Sequence, residues 1–307
     1  MKNRILKQNK FTIWLKAFRL RTLPLALANA VMGSFLALSD GSFKWPIFVL
    51  TLLTITFLQI LSNLANDFGD AVSGKDTKKR VGPQRVTASG LVTKNEIKRM
   101  IFIFIILSFV SGSLLIFIGL RNLSIKEILI FYGLGIAAII AAVKYTVGKK
   151  PYGYRGFGDI FVFVFFGLVG VLGTYYLQTH WFEPRLIYPA AAIGLLSTGV
   201  LNINNLRDIE TDKETGKNTL AVQYGVEFAR MYHLALITGA MLISVVYTAV
   251  EFYSWWQWLF LISVPLFIRN IIKVFNHQSP DELNNELKNL ALATFFFALT
   301  FGIGLVV

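Results

Sequence analysis

Residues 101–120 read IFIFIILSFVSGSLLIFIGL, twenty consecutive positions without a charged side chain. An α-helix that crosses a membrane needs about 20 mostly apolar residues, because the hydrocarbon core is roughly 30 Å thick and each residue rises about 1.5 Å. This stretch meets the requirement in one piece. It therefore predicts a transmembrane helix, against which the rest of the chain can be compared.

Eight other segments of the chain have a similar length and apolar character. The whole chain is 55% hydrophobic and 15% charged, with a mean hydropathy of +0.59, whereas soluble domains are about 25% charged. The sequence thus predicts an all-α polytopic membrane protein, a single domain over residues 1–307 with nine transmembrane helices in one bundle. Pro265 and Arg269 interrupt the eighth helix. The nine predicted helices cover roughly residues 18–38, 43–65, 100–120, 125–146, 157–178, 185–206, 232–250, 255–272 and 290–307.

The distribution of Lys and Arg predicts the orientation of the bundle. An odd number of helices puts the two ends of the chain on opposite sides, and the connections on the N-terminal side contain 26 of the 30 basic residues. Because basic residues concentrate in cytoplasmic connections, we expect the N-terminus and the long polar connections to be cytoplasmic, in the inner membrane of a bacterium. Topology thereby explains the net charge of +13, and no nucleic-acid partner is predicted.

The residue types that are scarce in the chain exclude several kinds of chemistry. There is no cysteine, which excludes disulfides, thiol catalysis and zinc sites with Cys ligands. The three histidines, His180, His233 and His277, are far apart in the sequence and do not form a ligand pattern. Any metal site must therefore be built from carboxylate and amide oxygens.

An internal repeat marks two connections on the predicted cytoplasmic side. Residues 63–77 read NLANDFGDAVSGKDT, and residues 205–219 read NLRDIETDKETGKNT. Four predicted helices separate the two copies, so duplication of a four-helix unit explains both their similarity and their common side. The sequence therefore predicts two four-helix pseudo-repeats, each with an Asp-rich cytoplasmic loop. At a constant offset of 142 residues, the identical positions in the first copy are Asn63, Leu64, Asp70, Gly74, Lys75 and Thr77.

The spacing of the polar residues in both copies suits a cation site. Asn63, Asp67 and Asp70 stand at i, i+4 and i+7, and Asp208 and Asp212 stand at i and i+4. On a helix each set lines one face. Carboxylates placed this closely repel each other unless a cation joins them, and Mg²⁺ typically binds one or two carboxylates together with substrate phosphates.

The residues that follow each acidic set add a turn and a positive charge. Gly74 and Gly216 would let a helix end in a left-handed turn. Lys75 and Lys217 come directly afterwards and could bind a phosphate.

These motifs resemble those of the UbiA superfamily of intramembrane prenyltransferases. Its first motif, N-D-x-x-D, matches residues 66–70 (NDFGD), and its second, D-x-x-x-D, matches residues 208–212 (DIETD). Three other stretches look like the branch that prenylates 1,4-dihydroxy-2-naphthoate for menaquinone synthesis: RLRTLP at 19–24, PYGYRGFGD at 151–159 and GTYYLQ at 173–178. Gly74, at a position where many other members have a further Asp, is also common in this branch.

The resemblance implies a Mg²⁺-dependent transfer of a prenyl chain from a polyprenyl diphosphate within the membrane. Asp67, Asp70, Asp208 and Asp212 would be the catalytic and metal-binding residues, together with Asn63. The allylic cation would be shielded from water, and the prenyl tail would lie among membrane lipid in a groove between helices. Further residues expected to bind the diphosphate or complete the metal shell are Asn66, Lys75, Lys217, Lys79, Arg80 and Arg85.

The acceptor implied by the resemblance is an electron-rich aromatic, 1,4-dihydroxy-2-naphthoate, which loses CO₂ as it is prenylated. Its carboxylate and hydroxyl groups need polar partners near the cytoplasmic helix ends. Arg19, Lys144, Tyr145 and Asp159 are the candidates, although snorkelling explains Arg19 and Lys144 equally well and helix capping explains Asp159 equally well.

Two groups of alternatives remain open. Other UbiA-type enzymes, with 4-hydroxybenzoate, homogentisate, haem or a lipid ether as acceptor, would keep both acidic motifs. A secondary transporter would also contain a repeat and polar groups within membrane helices. A transporter is disfavoured because the acidic residues lie at the membrane boundary and because an even number of helices per repeat makes the two halves parallel.

Overall fold

The computed structural model describes residues 9–75, 81–82 and 85–307. Two candidates for phosphate binding, Lys79 and Arg80, lie outside the described residues. Within those ranges the chain forms helices and no strand. The α-helices are α1 Lys10–Phe18, α2 Leu23–Ser39, α3 Trp45–Val72, α4 Lys94–Leu120, α5 Ile125–Lys144, α6 Gly158–Val162, α7 Gly173–Thr179, α8 Ile187–Arg207, α9 Ile209–Glu214, α10 Leu220–Val250, α11 Val264–Asn276 and α12 Glu282–Val306.

Shorter helical segments of other types complete the chain. Phe163–Leu172 forms a π-helix between α6 and α7, so that α6, the π-helix and α7 make one continuous segment. The 3₁₀ turns are Leu20–Thr22, Tyr152–Arg155, Pro184–Leu186 and Trp255–Ser263.

The described residues contain nine helical segments that are long and apolar enough to cross a membrane, which confirms the prediction of nine. The eighth is present despite Pro265 because the proline stands in the first turn of α11, where its missing N–H is not needed. The nine segments are Lys10–Ser39, Trp45–Val72, Lys94–Leu120, Ile125–Lys144, Gly158–Thr179, Pro184–Arg207, Leu220–Val250, Trp255–Asn276 and Glu282–Val306.

Several predicted helix ends were wrong, because the helices continue beyond their apolar cores into polar sequence. The helix predicted at 43–65 ends at Val72, so Asn66, Asp67 and Asp70 lie on a helix and not in a loop. The helices predicted at 232–250 and 290–307 begin at Leu220 and Glu282. Apolar content marks the part of a helix that lies in hydrocarbon, and it cannot show where the helix itself ends.

Two helical segments contain a local break that the sequence did not predict. Arg19 adopts φ 50°, which separates α1 from the turn that leads into α2. Gly225 adopts φ 87° inside α10 and kinks its first turns.

Close helix contacts hold the second half of the bundle around α8, the most buried of the nine segments. A Cβ added at Gly167 of the π-helix would lie 2.7 Å from the Ala190 carbonyl, and one at Gly194 would lie 2.8 Å from the Phe163 ring. These two glycines therefore let the π-helix and α8 approach each other closely. A similar contact joins α12 to α2, where a Cβ at Gly302 would overlap the Phe35 ring. The contact with the π-helix positions α8, the helix that leads into the second acidic motif.

Candidate functional site

The first acidic motif occupies the last three turns of α3. The Asn63 amide donates hydrogen bonds to the Phe18 carbonyl (2.9 Å) and to Thr22 Oγ1 (3.0 Å), which anchors the joint between α1 and α2. Asn66 Oδ1 lies 3.2 Å from Thr146 Oγ1. Gly74, two residues beyond the end of α3, has a φ of +69°.

The second acidic motif ends in the same local geometry as the first. Gly216 also has a φ of +69°, which confirms the left-handed turn predicted at both glycines. In each copy the amide of the following lysine donates to the carbonyl of the acidic residue five positions earlier, at 3.0 Å for Lys75 and 2.8 Å for Lys217. The two copies of the repeat are thus alike in backbone conformation as well as in sequence.

Lys217 brings the two motifs together. Its ammonium nitrogen lies 3.2 Å from Asp70 Oδ2 on α3 and 3.2 Å from Asp212 Oδ1 on α9. The two carboxylate oxygens can therefore be no farther apart than the sum of these distances. Residues that are 142 positions apart in the sequence form one polar site.

Arg85 provides a second cation for the first motif. Its guanidinium forms an ion pair with Asp70 and donates to the Asn66 carbonyl at 3.0 Å. Both side chains are almost fully buried, at 6% and 1% exposed. A buried ion pair of this kind needs additional hydrogen bonds to be favourable, and the bond from Arg85 to the Asn66 carbonyl is one of them.

Arg207 is the buried arginine that pairs with a carboxylate of the second motif, Asp208. Its Nε and Nη2 donate to the two oxygens of Asp208 at 2.8 and 2.7 Å. The same guanidinium donates to Asn204 Oδ1 at 2.8 Å and to Asn284 Oδ1 of α12 at 3.1 Å. Asp208 stands at the junction between α8 and α9, so this network fixes the junction against the last helix.

A cavity of about 390 Å³ opens from this polar site into the bundle. Both Asp70, near the end of α3, and Thr51, near its start, line it. At 1.5 Å per residue these positions are roughly 28 Å apart, so the cavity extends through most of the thickness of a bilayer core. Its walls come from α2, α3, α4, α5, the π-helix and α8, and they are mainly apolar away from the acidic end.

The predicted site residues divide into two groups by their position relative to this cavity. Those that line it are Asn63, Asn66, Asp70, Asp208, Asp212, Lys217, Arg85, Arg19 and Tyr145. Asp67 is buried in α3 but is not among the lining residues.

Three other predicted site residues also lie away from the cavity wall. Lys75 donates to the Thr215 carbonyl at 2.7 Å, next to Lys217. Lys144 is exposed at the end of α5, as expected for a snorkelling lysine. Asp159 is buried on α6, hydrogen-bonded to Tyr232. Neither Lys144 nor Asp159 borders this cavity, and their contacts with an acceptor stay predictions.

The electrostatics of the site reflect its burial. Burial raises the pKa of Asp212, while the neighbouring Lys217 ammonium acts in the opposite direction. Burial also lowers the pKa of Lys75, and repulsion from Lys217 adds to the effect. The acidic end of the cavity is therefore a place where charges of both signs are short of solvent and stabilise one another.

The donor set of the site fits a magnesium ion that arrives with a diphosphate. In the described part of the chain, no three acidic or histidine side chains converge as a complete metal site. The carboxylates that line the cavity instead contact Lys217, Arg85 and Arg207. All the candidate ligands are oxygens, which Mg²⁺ prefers, and Mg²⁺ commonly takes part of its shell from substrate phosphates. A site that is complete only with the substrate agrees with this geometry.

Sequence reasoning missed Arg207 as part of the site and did not predict the contact of Tyr154 with Asp70. Tyr154, in the turn before α6, donates its hydroxyl hydrogen to Asp70. Both residues stand inside the quoted motifs, and a buried arginine next to an aspartate at a helix end is a signal that could have been used for Arg207.

Comparison with known proteins identifies the class of this chain. The UbiA prenyltransferase family matches residues 26–305. A solved UbiA homologue from Archaeoglobus fulgidus, described as bound to GPP and Mg²⁺, has a TM-score of 0.58 at 16% identity, covering 94% of this chain and 99% of that one. The chain belongs to the UbiA prenyltransferase family. It is an integral membrane protein and a transferase.

Two relatives within the family are similar to this chain over nearly its whole length. The 1,4-dihydroxy-2-naphthoate octaprenyltransferase of Haemophilus influenzae is 44% identical over 309 residues, covering 100% of both chains. The enzyme of the same description from Escherichia coli is 44% identical over 292 residues, covering 95% of this chain and 94% of its own. The similarity therefore extends over the whole length of the bundle.

Proposed function

We propose that this chain is a single prenyltransferase domain, residues 1–307, that transfers a polyprenyl group from its diphosphate to 1,4-dihydroxy-2-naphthoate with loss of CO₂. One observation carries the proposal: Lys217 joins the acidic motifs of both repeats at one end of a long apolar cavity. A polar end and an apolar interior match a substrate with a diphosphate head and a hydrocarbon tail. The similarity to naphthoate prenyltransferases along the whole chain supports the choice of acceptor.

The diphosphate would bind at the acidic end. Asp70, Asp208 and Asp212, with Asn63 and Asn66 beside them, are the proposed holders of Mg²⁺, and Asp67 is retained as a ligand that would have to turn towards the cavity. Bound Mg²⁺ would neutralise the charge that develops on the departing diphosphate. Lys217, Arg85 and Lys75 would contact the outer phosphate oxygens, since they already lie at this end of the cavity or at its rim.

The chemical step would break the allylic C–O bond, and the diphosphate would leave with its electron pair. A ring carbon of the acceptor would then form the new C–C bond with a pair from the aromatic system. The carboxylate would leave as CO₂, returning the pair of its own C–C bond to the ring. The apolar walls of the cavity would keep water away from the allylic cation in the meantime.

The acceptor would lie between the diphosphate and the joint of α1 and α2. Arg19 and Tyr145 both line the cavity, and they are the proposed partners of the acceptor's carboxylate and hydroxyl groups. Arg19 adopts φ 50° there. A non-glycine residue in the left-handed region is uncommon, and such backbone often occurs at functional sites.

We further propose that the N-terminus and the acidic end of the cavity face the cytoplasm, in the inner membrane of a bacterium. The proposal rests on the asymmetric distribution of Lys and Arg. Because a polyprenyl tail partitions into lipid, membrane lipid would surround the substrate on its way to the cavity. No nucleic-acid partner is proposed.

A transfer assay on the purified protein, in detergent with added lipid, tests the proposed function. With 1,4-dihydroxy-2-naphthoate and a polyprenyl diphosphate, we expect a prenylated hydroquinone, which atmospheric oxygen oxidises to demethylmenaquinone during recovery. EDTA should abolish its formation and excess Mg²⁺ should restore it, because the acidic end is expected to need the cation to bind the diphosphate.

The same assay with 4-hydroxybenzoate and with homogentisate supplies the contrast. Product from one of these acceptors, and none from the naphthoate, would discard the proposed acceptor and keep the mechanism. Uptake of a solute into proteoliposomes, without product from any acceptor, would favour a transporter.

The cavity also predicts how the protein discriminates between donors of different length. Gly135 of α5 lines the cavity, and a Cβ at this position would meet nothing within 4 Å. A Gly135→Leu variant should therefore fold, since leucine also favours a helix more than glycine does. Its side chain would occupy space proposed for the tail, so kcat/KM should fall roughly tenfold more for a long-chain donor than for geranyl diphosphate, in line with ~1.4 kcal/mol of lost tail contact.

Gly133 offers a matched control on the same helix. A Cβ there would also meet nothing within 4 Å, but Gly133 does not line the cavity. Gly133→Leu should leave the ratio of kcat/KM values for long and short donors unchanged. An equal response of the two variants would show that the tail lies elsewhere.

A further inference from the structure

Tyr154 occupies a position between the two repeats that the proposed function does not use. It stands in the 3₁₀ turn Tyr152–Arg155, which is followed by Gly156 with φ +82°. Its own carbonyl accepts a hydrogen bond of 2.8 Å from the amide of Asn218, next to the second motif. The backbone of this turn is thereby fixed to the second repeat, while the side chain is buried and points towards the first.

The hydroxyl and the ring of Tyr154 make different contacts. The hydroxyl donates to Oδ1 of Asp70, the oxygen opposite to the one that contacts Lys217. The ring face lies 4.7 Å from the ammonium of Lys75 and 5.2 Å from that of Lys217, measured to the ring centroid. One side chain thus contacts a carboxylate of the first motif and the lysines of both.

Electrostatics explain how the ring and the hydroxyl of Tyr154 each stabilise a charged neighbour. Two ammonium groups beside one ring repel each other, and an aromatic face offsets part of that repulsion through its negative quadrupole. A phenol is protonated at neutral pH, so the Tyr154 hydroxyl donates to the Asp70 carboxylate. A hydrogen bond to one oxygen of a carboxylate also fixes the orientation of the other oxygen.

We propose that Tyr154 is a positioning residue that couples the metal-binding carboxylate of the first motif to the diphosphate-binding lysines of both repeats. Its hydroxyl orients Asp70 for the cation, and its ring holds Lys75 and Lys217 together for the diphosphate. The inference rests on the proposed function, because it takes Asp70 as a metal ligand and the lysines as phosphate ligands.

The two contacts can be tested separately by removing the hydroxyl alone or the hydroxyl and the ring together. Tyr154→Phe removes the contact with Asp70 and keeps the ring, whereas Tyr154→Leu removes both. Tyr154→Met, which fills a similar volume with a flexible chain, replaces the leucine variant if that one does not fold. Tyr152→Phe is the matched control, since the Tyr152 hydroxyl donates to the Ala141 carbonyl at 2.8 Å and contacts neither motif.

The first measurement is the binding of Mn²⁺, as a paramagnetic substitute for Mg²⁺, to the full-length protein in the presence of inorganic diphosphate and without prenyl substrates. We expect Tyr154→Phe to weaken Mn²⁺ binding roughly tenfold, as is typical when a hydrogen-bond partner of a metal ligand is removed. Tyr152→Phe should bind Mn²⁺ like the unmodified protein. Equal Mn²⁺ affinity in Tyr154→Phe and the unmodified protein would overturn the role of the hydroxyl.

The second measurement is the binding of inorganic diphosphate at saturating Mn²⁺. Tyr154→Leu should bind it roughly fivefold more weakly than Tyr154→Phe, which corresponds to the ~1 kcal/mol expected for a partly buried cation–π contact. Equal diphosphate affinity in these two variants would overturn the role of the ring. If the unmodified protein itself binds neither Mn²⁺ nor diphosphate, the proposed function fails before Tyr154 is tested.

Discussion

Asp70→Asn is expected to lower kcat for prenyl transfer by roughly a thousandfold, because a metal ion commonly supplies several kcal/mol of transition-state stabilisation. The amide keeps the size of the side chain and removes its charge. Asp70 contacts Lys217, Arg85 and Tyr154, so the substitution would disturb both the cation site and the groups proposed to bind the diphosphate. The measurement is kcat and KM for the donor at saturating acceptor, over a range of Mg²⁺ concentrations.

Glu210→Gln is the matched control for this loss. Glu210 belongs to the second acidic motif but is exposed on α9, and it does not line the cavity. The variant should retain kcat within about twofold, since an exposed carboxylate contributes little. Comparable elution and melting temperature of Asp70→Asn and the unmodified protein would exclude unfolding as the cause. Activity in Asp70→Asn above about a tenth of normal would contradict the assignment of Asp70.

The membrane-spanning helices and the left-handed turns after two of the helices could be predicted, because both depend on local sequence. Apolar length alone identifies nine membrane segments, and the glycines at 74 and 216 both adopt the left-handed turn expected of them. The repeat in sequence also corresponds to a repeat in backbone conformation, since the amides of Lys75 and Lys217 make equivalent hydrogen bonds. Each of these features is determined by residues within a few turns of one another.

The helix ends and the inner arrangement of the site could not be predicted in the same way. The end of α3 lies seven residues beyond the predicted one, because polar residues at a membrane boundary are compatible with helix and loop alike. Which lysine contacts the acidic residues of both motifs depends on how distant segments meet: Lys217 contacts Asp70 and Asp212, whereas Lys75 donates to the Thr215 carbonyl. Lys75 and Lys217 occupy equivalent positions in the repeat, yet only the second lines the cavity in the described part of the chain.

The candidates for acceptor binding show the same limit. Arg19, Lys144, Tyr145 and Asp159 all stand near the predicted cytoplasmic ends of helices, where snorkelling, capping and binding look alike in a sequence. In the structure, Arg19 and Tyr145 line the cavity, whereas Lys144 and Asp159 do not. Tertiary geometry therefore decides which polar helix ends can reach a bound substrate.

Arg207→Leu is expected to lower the free energy of unfolding by about 3–5 kcal/mol, the usual cost of breaking a buried ion pair by removing one partner. The two side chains are only 1% and 7% exposed, and Asp208 would lose a bidentate partner in a poorly solvated place. Arg207 also donates to Asn284 of α12, so the junction of α8 and α9 would lose its attachment to the last helix. The measurement is reversible unfolding in mixed micelles, followed by circular dichroism.

Two further variants separate the buried charge from the lost packing. Arg207→Lys keeps the charge and loses the planar fork that matches a carboxylate, so its stability should lie between those of Arg207→Leu and the unmodified protein. In the double variant Arg207→Leu/Asp208→Asn the carboxylate charge is removed as well, and we expect it to recover about 2 kcal/mol relative to Arg207→Leu, within the range found for residues in direct contact. Equal stability of the single leucine variant and the double variant would show that the charge of Asp208 is already compensated by other groups. In that case Arg207 would stabilise the protein mainly through its hydrogen bonds to Asn204 and Asn284, which connect α8 to α12.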